Sequence, residues 1–222
     1  MRASLGPSAG IPLSPTRDQM HCPECGFGFE DRSASDRRVH RRYHDDLLLG
    51  PRGAALRNLP IAQPLTESQS IRVVSSSSPK THRRVAQDVS LVAAGDVDYT
   101  GVAYAANEDP EDRDPHIFIG VDGKRAISYA MLERRYHVWT CTWQQYAAKE
   151  CVPVATSTGV SSVSFAWVSR SNRRQSWMRR TLDAAVGYLR ISLPDLAWYT
   201  PFTPKGELLV RRLCPDRLLI GK

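Results

Sequence analysis

The chain has no apolar run approaching the roughly 18 residues that a membrane-spanning helix needs, and its first twenty residues lack the continuous apolar stretch of a signal peptide. These absences argue against membrane and secretory classes and set the expectation of an intracellular protein. Lysine is scarce: 5 Lys accompany 25 Arg, for a net charge of +7. A basic excess favours an acidic partner, which nucleic acid, a phosphorylated cofactor or an acidic protein face would each supply, because net charge governs association and not fold. A disulfide framework is missing too. Of 5 cysteines, two form one CxxC pair while Cys141, Cys151 and Cys214 are scattered, which fits a reducing compartment. What remains is 222 residues, 41% of them hydrophobic, enough for a small module and one medium domain with a buried core.

The small module is explicit. Cys22-Pro-Glu-Cys25 places two thiolates on a tight knuckle, and His40-Arg-Arg-Tyr-His44 places two imidazoles one helical turn apart on the same face, so all four can meet one tetrahedral Zn2+. Phe27 and Phe29, between the pairs, can supply a miniature core, and Asp36 is placed to cap the helix that carries the histidines. Such modules are usually unfolded without metal. Arg37, Arg38, Arg41 and Arg42 surround His40 and form either a phosphate-binding face or a solvated one. DNA-reading fingers usually come in tandem, each covering about 3 bp, so a lone finger fits a structural or docking role at least as well.

Residues 1–20, with Gly6, Pro7, Gly10, Pro12 and Pro15, read as a disordered tail, 21–50 as the finger, 51–70 as a linker and 71–222 as the main domain. In that domain Ile71–Val74 reads as a strand. Val85, Val89, Leu91 and Val92 then have helical spacing. The acidic run from Asn107 to Asp114 reads as a solvated loop. His116–Val121 and Arg125–Glu133, separated by Asp122-Gly123, form a predicted hairpin, and Tyr136–Trp143 extends or adds a strand. Val160–Val168 is strongly strand-like and runs through a basic turn into a helix containing Leu182, Ala185, Val186 and Leu189. Leu196–Tyr199, Pro204–Leu213 and Arg217–Ile220 read as strand, helix and strand. The fold class is therefore α/β (α+β) and not a bundle or sandwich.

The string HCPECGFGFEDRSASDRRVHRRYHDDLLLG resembles the single zinc finger of the sister-chromatid cohesion N-acetyltransferases, including its terminal glycine. The likeness continues in order through IRVVSSSSPKTHRRVAQDVSLVAA, HIFIGVDGKRAISYAMLERRYHVW, VSFAWVSRSNRRQSWM and LAWYTPFTPKGELL. It spans about residues 21 to 220 and implies a GNAT fold, acetyl-CoA as cofactor and acetyl transfer to a lysine amine of a protein substrate. By the same resemblance, backbone groups of Ala166, Trp167 and Val168 bind the pantetheine. Arg173 and Arg174, with backbone N–H groups of Gln175, Ser176, Trp177 and Met178 at a helix N-terminus, hold the pyrophosphate. Glu133 is the candidate base, directly or through water, and Tyr199 a second candidate, although a phenol with a pKa near about 10 is a poor base at neutral pH.

Departures from the family pattern leave a second reading open. Ser176 stands where the family has glycine, Phe165 where its strand has arginine, Thr200 where it has an acid, and Leu213 where it has tyrosine. Thr200 cannot act as a base. The alternative is a GNAT-like binding module with impaired catalysis, whose finger and arginine-rich surface engage DNA or a chromosome-associated protein. The divergent motif suggests a stand-alone homologue, cytoplasmic or nucleoid-associated if prokaryotic and nuclear if eukaryotic. No membrane partner is expected, and the sequence does not give the oligomeric state.

Overall fold

The computed structural model describes residues 19–97, 104 and 113–221. Residues 1–18 of the expected tail and 107–112 of the expected acidic loop lie outside the described residues. The chain forms two compact units, one ending at His44 and one beginning at Asp45. Among the described residues no helix is long and apolar enough to cross a membrane.

In the first unit, β1 (Gln19–His21) pairs antiparallel with β2 (Gly28–Glu30), and α1 (Ala34–Leu49) follows. Met20, assigned by sequence to the tail, is therefore a strand residue. The helix begins two residues before Asp36. The Ser33 hydroxyl accepts the Asp36 N–H at 3.2 Å, and the Asp36 carboxylate accepts the Glu30 N–H at 3.4 Å and the Ser33 hydroxyl at 3.1 Å. The expected cap is thus corrected to Ser33, with Asp36 buttressing the turn from inside the helix, where a carboxylate suits the positive end of the dipole.

Among the described residues, the second unit is built on a nine-stranded sheet. Its strands are β3 (Ile61–Pro64), β4 (Gln69–Ser75), β5 (His116–Asp122), β6 (Arg125–Arg135), β7 (Val138–Cys141), β8 (Val152–Val154), β9 (Val160–Val168), β10 (Ala197–Tyr199) and β11 (Leu218–Gly221), in the spatial order β3-β4-β5-β6-β9-β10-β11-β7-β8. Neighbours are antiparallel except β9–β10 and β10–β11, which run parallel. The helices are α2 (Lys80–Asp96), α3 (Trp143–Ala148), α4 (Trp177–Leu189) and α5 (Pro204–Leu213).

The two central strands β5 and β6 are apolar and buried almost throughout because both faces of the sheet are covered. On one face Ala86, Val89 and Ala93 of α2 share a core with Val74, Ile117, Ile119, Tyr129 and Met131. On the other, Trp177, Met178, Leu182 and Ala185 of α4 share one with Ile71, Phe118, Ala130, Leu132 and Val163. The hairpin, the long strand β9 and the later elements follow the sequence expectation.

Three local expectations need correction. The linker over 51–70 is instead largely ordered structure: a 3-10 turn over Ala54–Asn58 buries Leu56, and β3 forms one edge of the sheet. Trp143, expected in a strand, opens α3, where Thr142 and Gln145 form a reciprocal cap and the indole donates to the Cys214 carbonyl at 2.8 Å. Cys141 and Cys151, scattered in sequence, bring their sulfurs to 2.7 Å across this helix, and burial pushes the Cys141 thiol up to about 12.

Two glycines allow close approaches. At Gly50, φ is +90° and a Cβ would lie 1.9 Å from the Ala126 carbonyl oxygen. At Gly120 on β5 a Cβ would lie 2.1 Å from Ser128 Oγ and 3.0 Å from the Trp177 ring. Because Ser128 Oγ is itself held at 2.6 Å by Thr181 of α4, Gly120→Ala is expected to displace the start of α4 and destabilise the protein by about 1–3 kcal/mol, the range for overpacking a core. Urea unfolding read by tryptophan fluorescence measures this loss.

Candidate active site and metal centre

The finger brings all four expected ligands together. One ligand atom from each of Cys22, Cys25, His40 and His44 lies within 4.8 Å of every other. Cys22 Sγ is 3.5 Å from His44 Nδ1, and Cys25 Sγ is 3.4 Å from His40 Nε2. A tetrahedron with Zn–S of about 2.3 Å and Zn–N of about 2.05 Å has an S···N edge of about 3.6 Å, so the donor set fits zinc. Phe29 stacks on the His40 ring at 4.0 Å, and Phe27 packs between His40 and Tyr43. The predicted miniature core therefore orients a ligand directly. Glu24 Oε2 lies 3.2 Å from the other nitrogen of His44, the type of outer contact that fixes a ligand tautomer. Hydrogen bonds from the backbone at Cys25 and Glu24 lower the Cys22 thiol to about 6, toward the thiolate that binds metal, whereas burial raises Cys25. Arg37, Arg38, Arg41 and Arg42 are all exposed on α1.

In the larger unit the candidate site lies where two parallel strands part. β10 pairs with β9 at only two positions, Ala197 with Ser162 and Trp198 with Val163. At the next residue β9 bulges: Leu132 of β6 faces Val163 and Met131 faces Phe165, leaving Ser164 extra, its hydroxyl donating to the Met131 carbonyl at 3.2 Å. Bulges re-aim a strand and recur beside active sites. Beyond the bulge β9 keeps β6 on one edge, while β10 gives it no further pairing on the other.

Strand alternation divides the three residues expected to meet the pantetheine. The Ser169 N–H bonds to the Ile127 carbonyl, so Trp167, two residues back, also turns its backbone toward β6, and Ala166 and Val168 turn theirs to the open edge. Ala166 is exposed there. The Trp167 side chain is buried and donates from its indole to Asp96 Oδ2 at 2.7 Å.

The loop from β9 to α4 carries the other expected cofactor residues. A 3-10 turn spans Arg170–Asn172, Arg174 has φ +66° and Ser176 has φ +62°. Ser176 occupies the N-cap of α4, but in this left-handed conformation its hydroxyl makes no capping bond. The cap therefore leaves the first-turn N–H donors of α4 for an anion or water. Arg174, Gln175 and Ser176 are exposed, while Trp177 and Met178 bury their side chains and can offer only backbone. Arg173 is already engaged: its Nη2 lies 2.5 Å from Asp96 Oδ2, and its Nε donates to the Val168 carbonyl at 3.0 Å.

The two candidate bases, Glu133 and Tyr199, meet through Arg135, which the sequence did not single out. Glu133, 8% exposed, is opposite Ser162 on the β6–β9 ladder and accepts from Arg135 Nη2 at 2.5 Å. The Arg135 guanidinium lies 5.4 Å from the centre of the Tyr199 ring, at the end of β10. Gly221 makes room, since a Cβ there would sit 2.6 Å from Ser162 Oγ and 3.1 Å from Arg135 Cγ. Thr200 follows Tyr199 half-buried. Arg135 lies two residues from Glu133 on a strand, a spacing that places both on one face and was the available signal.

Two outcomes are expected. Ser176→Gly should raise stability by about 1 kcal/mol, because glycine accepts a left-handed φ without the Cβ clash and no capping bond is lost; differential scanning calorimetry measures it. Wild-type protein should carry about one zinc per chain and His44→Ala much less, since three remaining ligands hold the metal weakly; elemental analysis after dialysis reads the difference.

No family model and no curated protein sequence matches the chain. Solved structures do. The acetyltransferase domain of xEco2 bound to a CoA conjugate superposes with a TM-score of 0.56 at 16% identity, covering 73% of this chain and 97% of that one. A second structure of the xEco2 acetyltransferase domain gives 0.52 at 18% identity, covering 73% and 95%. The likeness read from the motifs is thus met by a likeness of fold: the chain adopts a mixed, helix-flanked sheet like that of these two solved domains.

Proposed function

We propose that the protein is an acetyl-CoA-dependent N-acetyltransferase acting on a lysine amine of a protein, with the zinc finger as an accessory module. The observation that carries this reading is the parting of β9 and β10 at the Ser164 bulge, beside the N-terminus of α4 left uncapped by Ser176. An open strand edge matches the amide groups of a pantetheine arm, and a helix N-terminus with an exposed Arg174 matches a diphosphate. The likeness to a domain whose structure contains a CoA conjugate supports the same choice.

In this reading the cofactor supplies an activated acyl group as a thioester. Backbone groups of Ala166 and the N–H of Val168 hold the pantetheine, the Val168 carbonyl being taken by Arg173. Arg174 and the N–H groups from Gln175 to Met178 hold the diphosphate, and Arg173 fixes the loop. A lysine ammonium must lose a proton before its nitrogen can attack, and Glu133 receives it, directly or through one water. Arg135 positions that carboxylate, and Tyr199 packs under the guanidinium as a wall of the cleft. The binding-module reading is favoured by one feature, the engagement of Glu133 by Arg135, since a carboxylate committed to an ion pair is a hindered base.

A thermal-shift titration tests the proposal. Acetyl-CoA at 100 times its dissociation constant should stabilise the zinc-loaded protein by about 2.7 kcal/mol, and the Arg173→Ala, Arg174→Ala double variant should lose that shift. Glu133→Gln should keep the shift but release free CoA from acetyl-CoA and a lysine-peptide pool about 100-fold more slowly or worse, as expected when a general base is removed. If wild-type protein shows a shift but no CoA release, the protein is a binding module; if it shows no shift, the acetyltransferase reading falls.

A further inference from the structure

Asp96 closes α2 with its side chain only 1% exposed. Its carboxylate accepts three hydrogen bonds from β9 and the loop that follows it: Trp167 Nε1 at 2.7 Å, Arg170 Nε at 2.6 Å and Arg173 Nη2 at 2.5 Å. The position is otherwise unfavourable, since a negative charge at a helix C-terminus opposes the helix dipole and burying a carboxylate is costly unless it is paired and fully bonded. Two guanidinium groups and an indole meet that condition. Their positions lie 71 to 77 residues further along the chain.

All three donors belong to the segment that runs from the open edge of β9 to the start of α4. Arg173 ties it a second time through the Val168 carbonyl, and Asn172 closes it on the Ser169 hydroxyl at 2.9 Å. With the inner side of the loop anchored, Arg174 and Ser176 are left in left-handed backbone conformations at the α4 N-terminus. The charge of Arg173 is directed at Asp96, which leaves the exposed Arg174 to meet an anion.

We propose that Asp96 is a positioning residue for the cofactor: it sets the shape of the 170–176 loop and thereby the binding of the diphosphate end of acetyl-CoA, without touching the ligand. The inference rests on the acetyltransferase reading and adds a residue that neither the motifs nor the strand geometry selects.

The test compares two probes that share the acetylpantetheine arm and differ in the diphosphate assigned to the loop and the nucleoside attached to it. Acetyl-CoA carries the diphosphate and adenosine, and S-acetylpantetheine lacks both. In zinc-loaded full-length protein, Asp96→Asn should bind acetyl-CoA about tenfold more weakly, the scale of lost hydrogen bonds to a charged group, and S-acetylpantetheine within about twofold of wild type. Arg170→Gln, which removes one donor and keeps the carboxylate paired with Arg173, should weaken acetyl-CoA by about threefold in the same selective way and serves if the Asn variant fails to fold. Equal loss for both probes would mean that Asp96 holds the whole cleft together and would overturn the positioning role. Unchanged binding of acetyl-CoA by the variants would overturn it as well. Wild-type protein that binds neither probe would sink the acetyltransferase reading itself, an outcome separate from the other two.

Discussion

A strand in the interior of a sheet has two edges of backbone donors and acceptors to satisfy, and β9 satisfies both only as far as Val163. From Ser164 onward β6 takes one edge and β10 is no longer paired to the other. The second unit depends on this constraint. The bulge at Ser164 makes the divergence possible, α2 and α4 cover the two faces of the sheet around it, and β10 ends at Tyr199. An open edge inside a packed domain needs partners for its backbone groups; Arg173 serves the Val168 carbonyl, and the exposed Ala166 leaves room for an extended amide-bearing ligand.

The electrostatics follow the same division. Arginines crowd the loop before α4, and the buried Asp96 takes two of them as structural partners. At the end of β6 Arg135 faces the carboxylate of Glu133 and the ring of Tyr199. Each buried carboxylate is thus matched to arginine. The arginine excess of the composition, which first suggested an acidic partner, is in part internal wiring.

Much of this was readable in the chain. The Cys₂His₂ spacing gives the metal ligands because two thiolates three apart and two imidazoles four apart can meet in only a few ways. The strands β4 and β5 announce themselves by their β-branched residues, β6 by an apolar run and β9 by its valines and aromatics, and Asp122-Gly123 marks the hairpin. The edge strands β3 and β8 escaped because three or four residues containing proline show no alternation to detect. Asp36 reads as the cap in place of Ser33 because it too takes part in the turn, from inside the helix. The Asp96 network was invisible for another reason. Its members are distant in sequence, and an aspartate closing an amphipathic helix reads as a solvated end, while an arginine beside a phosphate-binding turn reads as a ligand contact whether it faces the ligand or a carboxylate behind it.

The two strands missed in sequence also govern how the sheet ends. Nine strands leave two rims, β3 and β8, and each exposes an aliphatic side chain, Ile61 at 54% and Val152 at 54%. Such rims invite another strand to add on. Each also contains a proline, Pro64 and Pro153, which has no N–H to offer and a ring that keeps a neighbouring backbone at a distance. A second chain approaching either rim meets an interrupted ladder, so the features that hid these strands from the sequence reading also protect the folded sheet from growing by edge-to-edge addition.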